Sequence, residues 1–346
     1  MKDTFGISDE CLYVSMDDIN FPFKNLLELA EAFSQQGGKY LFIDEVHKQP
    51  NWIVQLKNIY DFHPKLNVVF TGSSILELDH SKADLSRRAI LYTMKGLSFR
   101  EYLEIETGEL FKYLTLNEIL TNHEQIAFDI VNKIKPLKYF ANYCRYGYYP
   151  YYLQNAETYS IKLSELINLV VEQDLLYIAN IDKEHYAKIK RFLYLLSQYV
   201  PVKPNISSLS AEMGMSRNTI ANYIHYLERA EILTTVYTSD KRFKGLAKPE
   251  KLLLFHPNLY FAIANDNANS GSLRETFFVN QLGYKHRIEI PEQGDFLINE
   301  TYTFEIGGKS KTNKQISGLQ NSYIVSDDIE IGFKNKIPLW LFGFLY

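Results

Sequence analysis

The chain has 346 residues, of which 46% are hydrophobic and 23% are charged, and its formal net charge is −4. This length and composition predict a folded protein of about two to four domains, and the charge excludes a globally basic nucleic-acid binder without excluding a local basic face. Two cysteines are too few for a disulfide framework, so a reducing cytoplasm is expected, and no apolar run approaches the roughly 20 residues that would predict a membrane partner.

The first part of the chain alternates strand and helix patterns. Continuous apolar strands separated by helices indicate a parallel sheet that is covered on both faces. We therefore expect an α/β domain over residues 1–105. Its strands are predicted at 12–15, 40–43 and 66–70, and its helices at 26–33 and 52–60.

Residues 106–200 show helical periodicity, as at 164–181 and 185–199, without a convincing strand pattern. A tyrosine-rich stretch at 146–152 contains a glycine and a proline, which predicts a turn packed against helices. We interpret this region as a helical lid or linker.

The pattern at residues 206–229 predicts a helix-turn-helix. A short helix breaks at Gly214, Ser216 supplies an N-cap, and the second helix has one apolar stripe. Two apolar strands follow and predict a hairpin, so residues 201–264 are interpreted as a winged helix.

Polar side chains on the second helix point away from its apolar stripe. Arginine and asparagine are suited to base edges in the major groove, which makes Arg217, Asn218 and Asn222 candidate DNA-binding residues. The following segment, 241–251, has a local net charge of +4 from five basic residues and one acid, and predicts a wing that grips phosphates. The wing candidates are Lys241, Arg242 and Lys244. The alternative is a winged helix used for packing or for binding a protein.

Residues 265–346 predict an α/β tail. A helix is expected at 273–282, followed by strands near 294–298, 301–306, 322–325 and 338–343.

Acidic residues of the tail form a candidate cation site. Asp295 ends one predicted strand, Glu305 lies on the next, and Glu275 lies on the helix before them. Such acids can hold a hard divalent cation while a lysine steadies the attacked phosphate, and Lys309 is the nearest lysine after Glu305. The alternative is a nuclease-like fold without activity.

The apolar run at 40–43 leads directly into Asp44 and Glu45, and the next strand ends at Thr71-Gly-Ser73-Ser74. In enzymes that hydrolyse nucleoside triphosphates, a strand-end aspartate orients the magnesium shell and a following glutamate polarises the attacking water. The alternative is a solvated acidic pair that ends a strand.

The motifs resemble, in the same order, those of an AAA+-type ATPase family. That family carries a C-terminal domain of unknown function (DUF4143-type) that is similar to PD-(D/E)xK nucleases. The motifs lie at 41–48, 56–61, 69–74, 85–88 and 96–102. The resemblance implies a P-loop sheet, a helical lid, a winged helix and a restriction-endonuclease-like tail, with ATP and magnesium as cofactors.

The resemblance also implies roles for individual residues. Asp44 would be the Walker B aspartate, which holds magnesium through water, and Glu45 would be the catalytic glutamate. Asp295 and Glu305 would be metal ligands in the tail. The sensor would be Ser73 or Ser74, and the finger or sensor arginine Arg87 or Arg88.

The family's first strand, its G-x-x-x-x-G-K-[ST] loop and the following helix do not occur in the 346 residues. Gly37-Gly38-Lys39 is not a substitute, because it precedes a strand and not a helix. We therefore expect a truncated sheet and weak ATP binding. A translation start assigned too late, a degraded gene, or a loop supplied by another chain would each explain the pattern.

Three functions follow from the sequence. The first is an ATPase-family switch coupled to DNA or protein binding. The second is a non-catalytic remnant that binds DNA or protein, and the third is a metal-dependent nuclease. DNA, a protein partner or a second copy of the chain are the expected partners.

Overall fold

The computed structural model describes residues 8–72, 85, 87–174, 184–198, 206–238, 249–264 and 268–346. The chain divides into two compact units, Met1–Met94 and Lys95–Tyr346. Helix Phe99–Thr107, which the sequence placed in the first domain, is therefore part of the second unit.

The first unit contains a parallel sheet with the strand order β1-β2-β3. Its predicted elements are all present. They are β1 (Cys11–Ser15), α1 (Leu26–Gln35), β2 (Tyr40–Asp44), α2 (Trp52–Phe62) and β3 (Asn67–Phe70). Helix α1 begins where the Asn25 side chain accepts a hydrogen bond from the Glu28 amide at 2.9 Å.

One face of this sheet forms the core of the unit. Leu41 and Ile43 of β2 are buried against apolar residues of α1 and α2. On the opposite face, Tyr13 is 53% exposed and Val69 is 51% exposed. The prediction that both faces are covered is therefore wrong for the described residues, because apolar side chains stand on both faces but the described helices pack on one.

The second unit begins with a helical region. Helix α3 (Phe99–Thr107) starts with a capping box in which Ser98 and Glu101 bond each other's backbone amides. The helices that follow are α4 (Leu116–Lys133), α5 (Pro136–Asn142), α6 (Tyr159–Leu169) and α7 (Glu184–Gln198). A π-helix, Val170–Asp174, continues α6, and the rest of the helix predicted at 164–181 lies outside the described residues.

The tyrosine-rich stretch forms two irregular turns of helix, Tyr143–Gly147 (π) and Pro150–Leu153 (3-10). The Asn258 side-chain amide donates to the carbonyl oxygens of Tyr143 at 2.9 Å and Cys144 at 2.7 Å. These buried bonds satisfy the carbonyl groups that the irregular helix leaves free.

Two helices and a hairpin follow in the order that the sequence predicts. They are α8 (Ile206–Met213), α9 (Arg217–Arg229), β4 (Leu233–Val236) and β5 (Lys251–Leu254), and β4 pairs with β5 antiparallel. Gly214 joins the two helices with φ of +60°, a left-handed conformation that favours glycine. The predicted N-cap is confirmed, since the Ser216 hydroxyl accepts from the Thr219 amide at 3.1 Å.

Helix α10 (Pro257–Ala264) follows the hairpin and packs against α6 and α7. The tail contains helix α11 (Ser270–Gly283) and the strands β6 (Ile288–Glu289), β7 (Phe296–Ile298), β8 (Tyr302–Gly307), β9 (Ser322–Ser326) and β10 (Lys336–Pro338). These strands form a sheet of order β10-β9-β8-β7-β6, against which α11 packs. The strand predicted at 338–343 is wrong: β10 ends at Pro338, and Leu339–Phe344 forms a fully buried 3-10 helix. An apolar run does not distinguish a buried strand from a buried helix. Among the described residues, no helix has the length and apolarity to cross a bilayer.

Candidate functional site

Three side chains meet where the parallel strands of the first unit end. Asp44 is the last residue of β2, and its carboxylate accepts hydrogen bonds from the Thr71 hydroxyl and, at 2.8 Å, from the Tyr13 hydroxyl. The hydroxyls of Thr71 and then Tyr13 hold the pKa of Asp44 below its ordinary value, and Asp44 raises the pKa of Tyr13. The carboxylate is therefore ionised at neutral pH and is oriented by both edge strands.

Glu45 follows in a strained backbone conformation. Its φ is 53° and its ψ is 42°, in the left-handed region that non-glycine residues rarely adopt. The turn is attached to the strand after it, because Thr71 accepts from the Glu45 amide at 3.3 Å and from the Val46 amide at 2.9 Å. Strained residues of this kind cluster at functional sites. His47 Nδ1 lies 3.5 Å from the Glu45 carboxylate.

This edge fits a hydrated magnesium ion. An ionised carboxylate with a neighbouring carboxylate is the oxygen-donor set that magnesium prefers when it keeps part of its water shell. Asp44 and Glu45 are adjacent in the sequence, and their roles as magnesium-orienting and catalytic residues stay predictions. The structure adds Tyr13, which the sequence analysis missed because nothing in a strand pattern indicates which tyrosine faces a carboxylate.

The two candidate arginines lie after the first sheet in the chain. Arg88 forms a two-point ion pair with Asp61, near the end of α2, at 2.9 Å and 3.1 Å. Arg87 is exposed. The finger or sensor role of Arg87 or Arg88 stays a prediction. Ser73 and Ser74 lie outside the described residues.

Helix α9 presents a polar face. Arg217, Asn218 and Asn222 are exposed as predicted, while the opposite stripe, including Ile220 and Leu227, is buried. The end of α9 is attached to the hairpin, because the Thr235 amide of β4 donates to the Glu228 carboxylate at 3.2 Å. The wing candidates Lys241, Arg242 and Lys244 lie outside the described residues.

The acids of the tail converge as predicted, but lysines lie among them. Lys251 of β5 places its Nζ atom 2.6 Å from Glu275 Oε2 and 3.6 Å from Asp295 Oδ1. Lys311 Nζ lies 2.5 Å from Glu305 Oε1. We call these five side chains, Lys251, Glu275, Asp295, Glu305 and Lys311, the tail ion cluster.

The lysine that contacts Glu305 is Lys311, and the role predicted for Lys309 stays a prediction. The Lys309 side chain is exposed, and its backbone carbonyl oxygen accepts from Lys336 at 2.7 Å. The chain leaves β8 at Gly307 and turns at 308–310, and this turn brings Lys311 back over the strand to Glu305. Sequence distance from the acid therefore did not identify the contacting lysine.

Burial dominates the electrostatics of this cluster. It raises the pKa of Glu275 to about 7, against the opposing effect of Lys251, and it raises the pKa of Glu305 against the opposing effect of Lys311. Among the described residues, no group of three or more acidic, histidine or cysteine side chains is arranged to hold a metal ion. The assignment of Asp295 and Glu305 as metal ligands stays a prediction: Glu305 is paired with Lys311, and Asp295 lies near Lys251 and accepts from the Ile306 amide.

Comparison with known proteins supports a coarse assignment. Residues 1–103 match the family model of an AAA domain, and residues 137–270 match a domain of unknown function (DUF8612). The chain is 28% identical over 361 aligned positions to the uncharacterized protein MJ1637 of Methanocaldococcus jannaschii, an alignment that covers 94% of this chain and 75% of that protein. No solved structure matches the chain.

The first unit is accordingly similar to AAA-type domains, which bind nucleotide and magnesium in general. Neither of the two family matches extends beyond residue 270. The nuclease-like interpretation of the tail therefore stays a prediction.

Proposed function

We propose that the protein is an AAA-type, nucleotide-dependent switch that is coupled to the binding of DNA or protein. The observation that carries the proposal is the arrangement at the end of β2. An ionised Asp44 is oriented by Thr71 and Tyr13, and the next residue, Glu45, is held in a left-handed turn. The match of residues 1–103 to an AAA domain supports the same assignment.

In this proposal, Asp44 holds magnesium through its water shell and Glu45 orients and polarises the attacking water. Thr71 orients Asp44 and Glu45 relative to each other, because its hydroxyl contacts the Asp44 carboxylate and the Glu45 amide. Phosphate affinity in such enzymes comes mainly from a glycine-rich loop and its lysine, and the 346 residues contain no such motif. We therefore expect these residues alone to bind ATP weakly and to hydrolyse it slowly.

We propose that the second unit binds DNA or a protein partner. Helix α9 and the β4–β5 hairpin form a winged-helix arrangement in which Arg217, Asn218 and Asn222 are available to base edges. A partner protein that uses the same polar face is the alternative occupant.

A non-catalytic protein that binds DNA or protein is the second candidate. It would use the exposed Arg217, Asn218 and Asn222 of α9 without nucleotide turnover at the end of β2. The nuclease hypothesis is the third candidate, and a cation in the tail would compete with Lys251, which lies between Glu275 and Asp295.

The nucleotide arm is tested by the binding of a fluorescent ATP analogue with Mn²⁺ or Mg²⁺. We expect weak, cation-dependent binding that Asp44→Asn abolishes and Glu45→Gln retains. Asp61→Asn is the matched control, because Asp61 is another aspartate of the same unit but is paired with Arg88. Binding that is insensitive to Asp44→Asn would reject the assignment, and tight binding would reject the expected effect of the missing loop.

The proposed DNA binding is tested by the retention of duplex DNA at several salt concentrations. Arg217→Ala should weaken retention, whereas Arg87→Ala, which also removes one exposed arginine, should not. Equal, unchanged retention by both variants would place DNA contact elsewhere and favour a protein partner.

A further inference from the structure

The tail ion cluster contains a buried lysine that the proposed function does not use. Lys251 begins strand β5 of the hairpin, and its side chain is only 15% exposed. Its Nζ atom contacts carboxylates from two other elements, Glu275 of α11 at 2.6 Å and Asp295, next to β7, at 3.6 Å. The same atom lies 4.5 Å from the centre of the Phe296 ring. One ammonium group thus joins a hairpin, a helix and a sheet.

The carboxylates of the cluster outnumber its ammonium groups, and loss of Lys251 would increase the excess of acids. Three carboxylates face two ammonium groups, and removal of Lys251 would leave three acids against Lys311 alone. Glu305, which is fully buried, already has Lys311 at 2.5 Å. Asp295 Oδ2 accepts from the Ile306 amide at 2.8 Å, which leaves its Oδ1 atom facing Lys251. Lys251 is therefore the main positive charge for Glu275 and Asp295.

We propose that the Lys251 ammonium group occupies the position that a divalent cation would take between Glu275 and Asp295. The tail of the native protein is thus a lysine-filled, metal-free site, and the lysine ties the hairpin to the tail sheet. Two carboxylates that are largely shielded from water and lose their ammonium partner must be protonated or must bind another cation. Removal of Lys251 should therefore create a site for a hard divalent cation with oxygen ligands.

The arrangement also links the helix-turn-helix to the tail. Helix α9 is attached to β4 through Glu228 and Thr235, β4 pairs with β5, and β5 carries Lys251. A second contact lies nearby, where the Ile290 amide donates to the Tyr237 carbonyl oxygen at 3.0 Å. The ion pair therefore lies on the chain of contacts that connects α9 to the tail.

The test is the number of Mn²⁺ ions bound by the full chain, measured by electron paramagnetic resonance. All variants carry Asp44→Asn, so that the proposed nucleotide site does not contribute. We expect no bound Mn²⁺ in the Asp44→Asn background and one bound Mn²⁺ when Lys251→Met is added. This Mn²⁺ site should be lost when Asp295→Asn is added as well. Lys309→Met is the matched control, because this lysine is exposed on the same domain, and it should add no site.

Two results would overturn the proposal. One is Mn²⁺ binding in the presence of Lys251 that Asp295→Asn removes. The other is a folded Lys251→Met variant, as judged by circular dichroism, that gains no site. If that variant does not fold, NMR of the lysine Nζ groups in the wild-type chain decides: an Nζ signal of Lys251 that is protected from exchange and shifts on Glu275→Gln supports the ion pair, and a rapidly exchanging, unshifted signal rejects it.

Discussion

Replacement of Thr71 by valine is the sharpest perturbation of the strand edge. Valine keeps the shape of threonine but removes the hydroxyl that donates to Asp44 and accepts from the Glu45 amide at 3.3 Å. A hydrogen bond to a charged group is worth about 1.5–3 kcal/mol, but Thr71 is exposed and water can replace much of it. We therefore expect Thr71→Val to lower the free energy of unfolding of the first unit by about 0.5–1.5 kcal/mol.

The pH dependence of this loss follows from the pKa of Asp44. The Thr71 hydroxyl lowers the pKa of Asp44 in the folded state. This hydrogen bond therefore stabilises the fold at pH values above the pKa of Asp44 in the unfolded chain, about 3.9, and the stabilisation is lost as pH falls through the pKa in the folded state. The difference between wild type and Thr71→Val should thus be largest near neutral pH and should vanish in acid. Thr71→Val should also raise the pKa of Asp44 toward its ordinary value.

The assay is native-state hydrogen exchange of the Thr71 amide, which donates to the Ile43 carbonyl oxygen at 2.9 Å, together with a carboxyl ¹³C titration of Asp44. Thr71→Ser, which keeps the hydroxyl, is the control and should leave the pKa of Asp44 low. If Thr71→Val left both protection and the pKa of Asp44 unchanged, the proposed role of the hydroxyl would be refuted.

Three further predictions concern the second unit. Arg217→Ala should reduce the slope of log affinity for DNA against log salt by about one, measured by fluorescence anisotropy, and an unchanged slope would exclude a phosphate contact by this residue. Gly214→Ala should cost about 1 kcal/mol in urea unfolding, because alanine is strained at φ of +60°; a neutral effect would mean that the turn rearranges. Burial lowers the pKa of His256, so stability should fall as pH drops below about 6.5, with a slope of at most about 1.4 kcal/mol per pH unit that His256→Asn removes. A slope that persists in His256→Asn would assign the acid sensitivity to other groups.

The sequence predicted the first unit well because its strands are short apolar runs between helical patterns. β2 ends at Asp44 as the pattern indicated, and parallel strands bring their carboxyl ends to one edge, which places Thr71 beside it. Tyr13 and the Arg88–Asp61 pair could not be predicted in this way, because side-chain partners depend on the register between segments far apart in the chain.

In the tail, too, the sequence predicted the positions of the acids but not their side-chain partners. The positions of Glu275, Asp295 and Glu305 follow from strand and helix patterns, but the lysine that fills the site comes from the hairpin, 24 residues before Glu275. Lys309 was the candidate because it is the nearest lysine after Glu305 in the sequence, whereas the turn after β8 brings Lys311 to the acid. The final apolar stretch forms a 3-10 helix. The sequence could not distinguish this helix from a strand, because residues that are buried on every side show no hydrophobic periodicity.

Paramagnetic broadening by Mn²⁺ bound to ADP decides whether the end of β2 is the metal- and water-handling edge of an AAA-type site. In the 346-residue chain, we expect selective broadening of the amide signals of Asp44, Glu45 and Thr71, and its loss in Asp44→Asn. Broadening at Glu275 and Asp295 instead, or none at the β2 edge at concentrations where Mn²⁺–ADP binds the chain, would contradict this assignment.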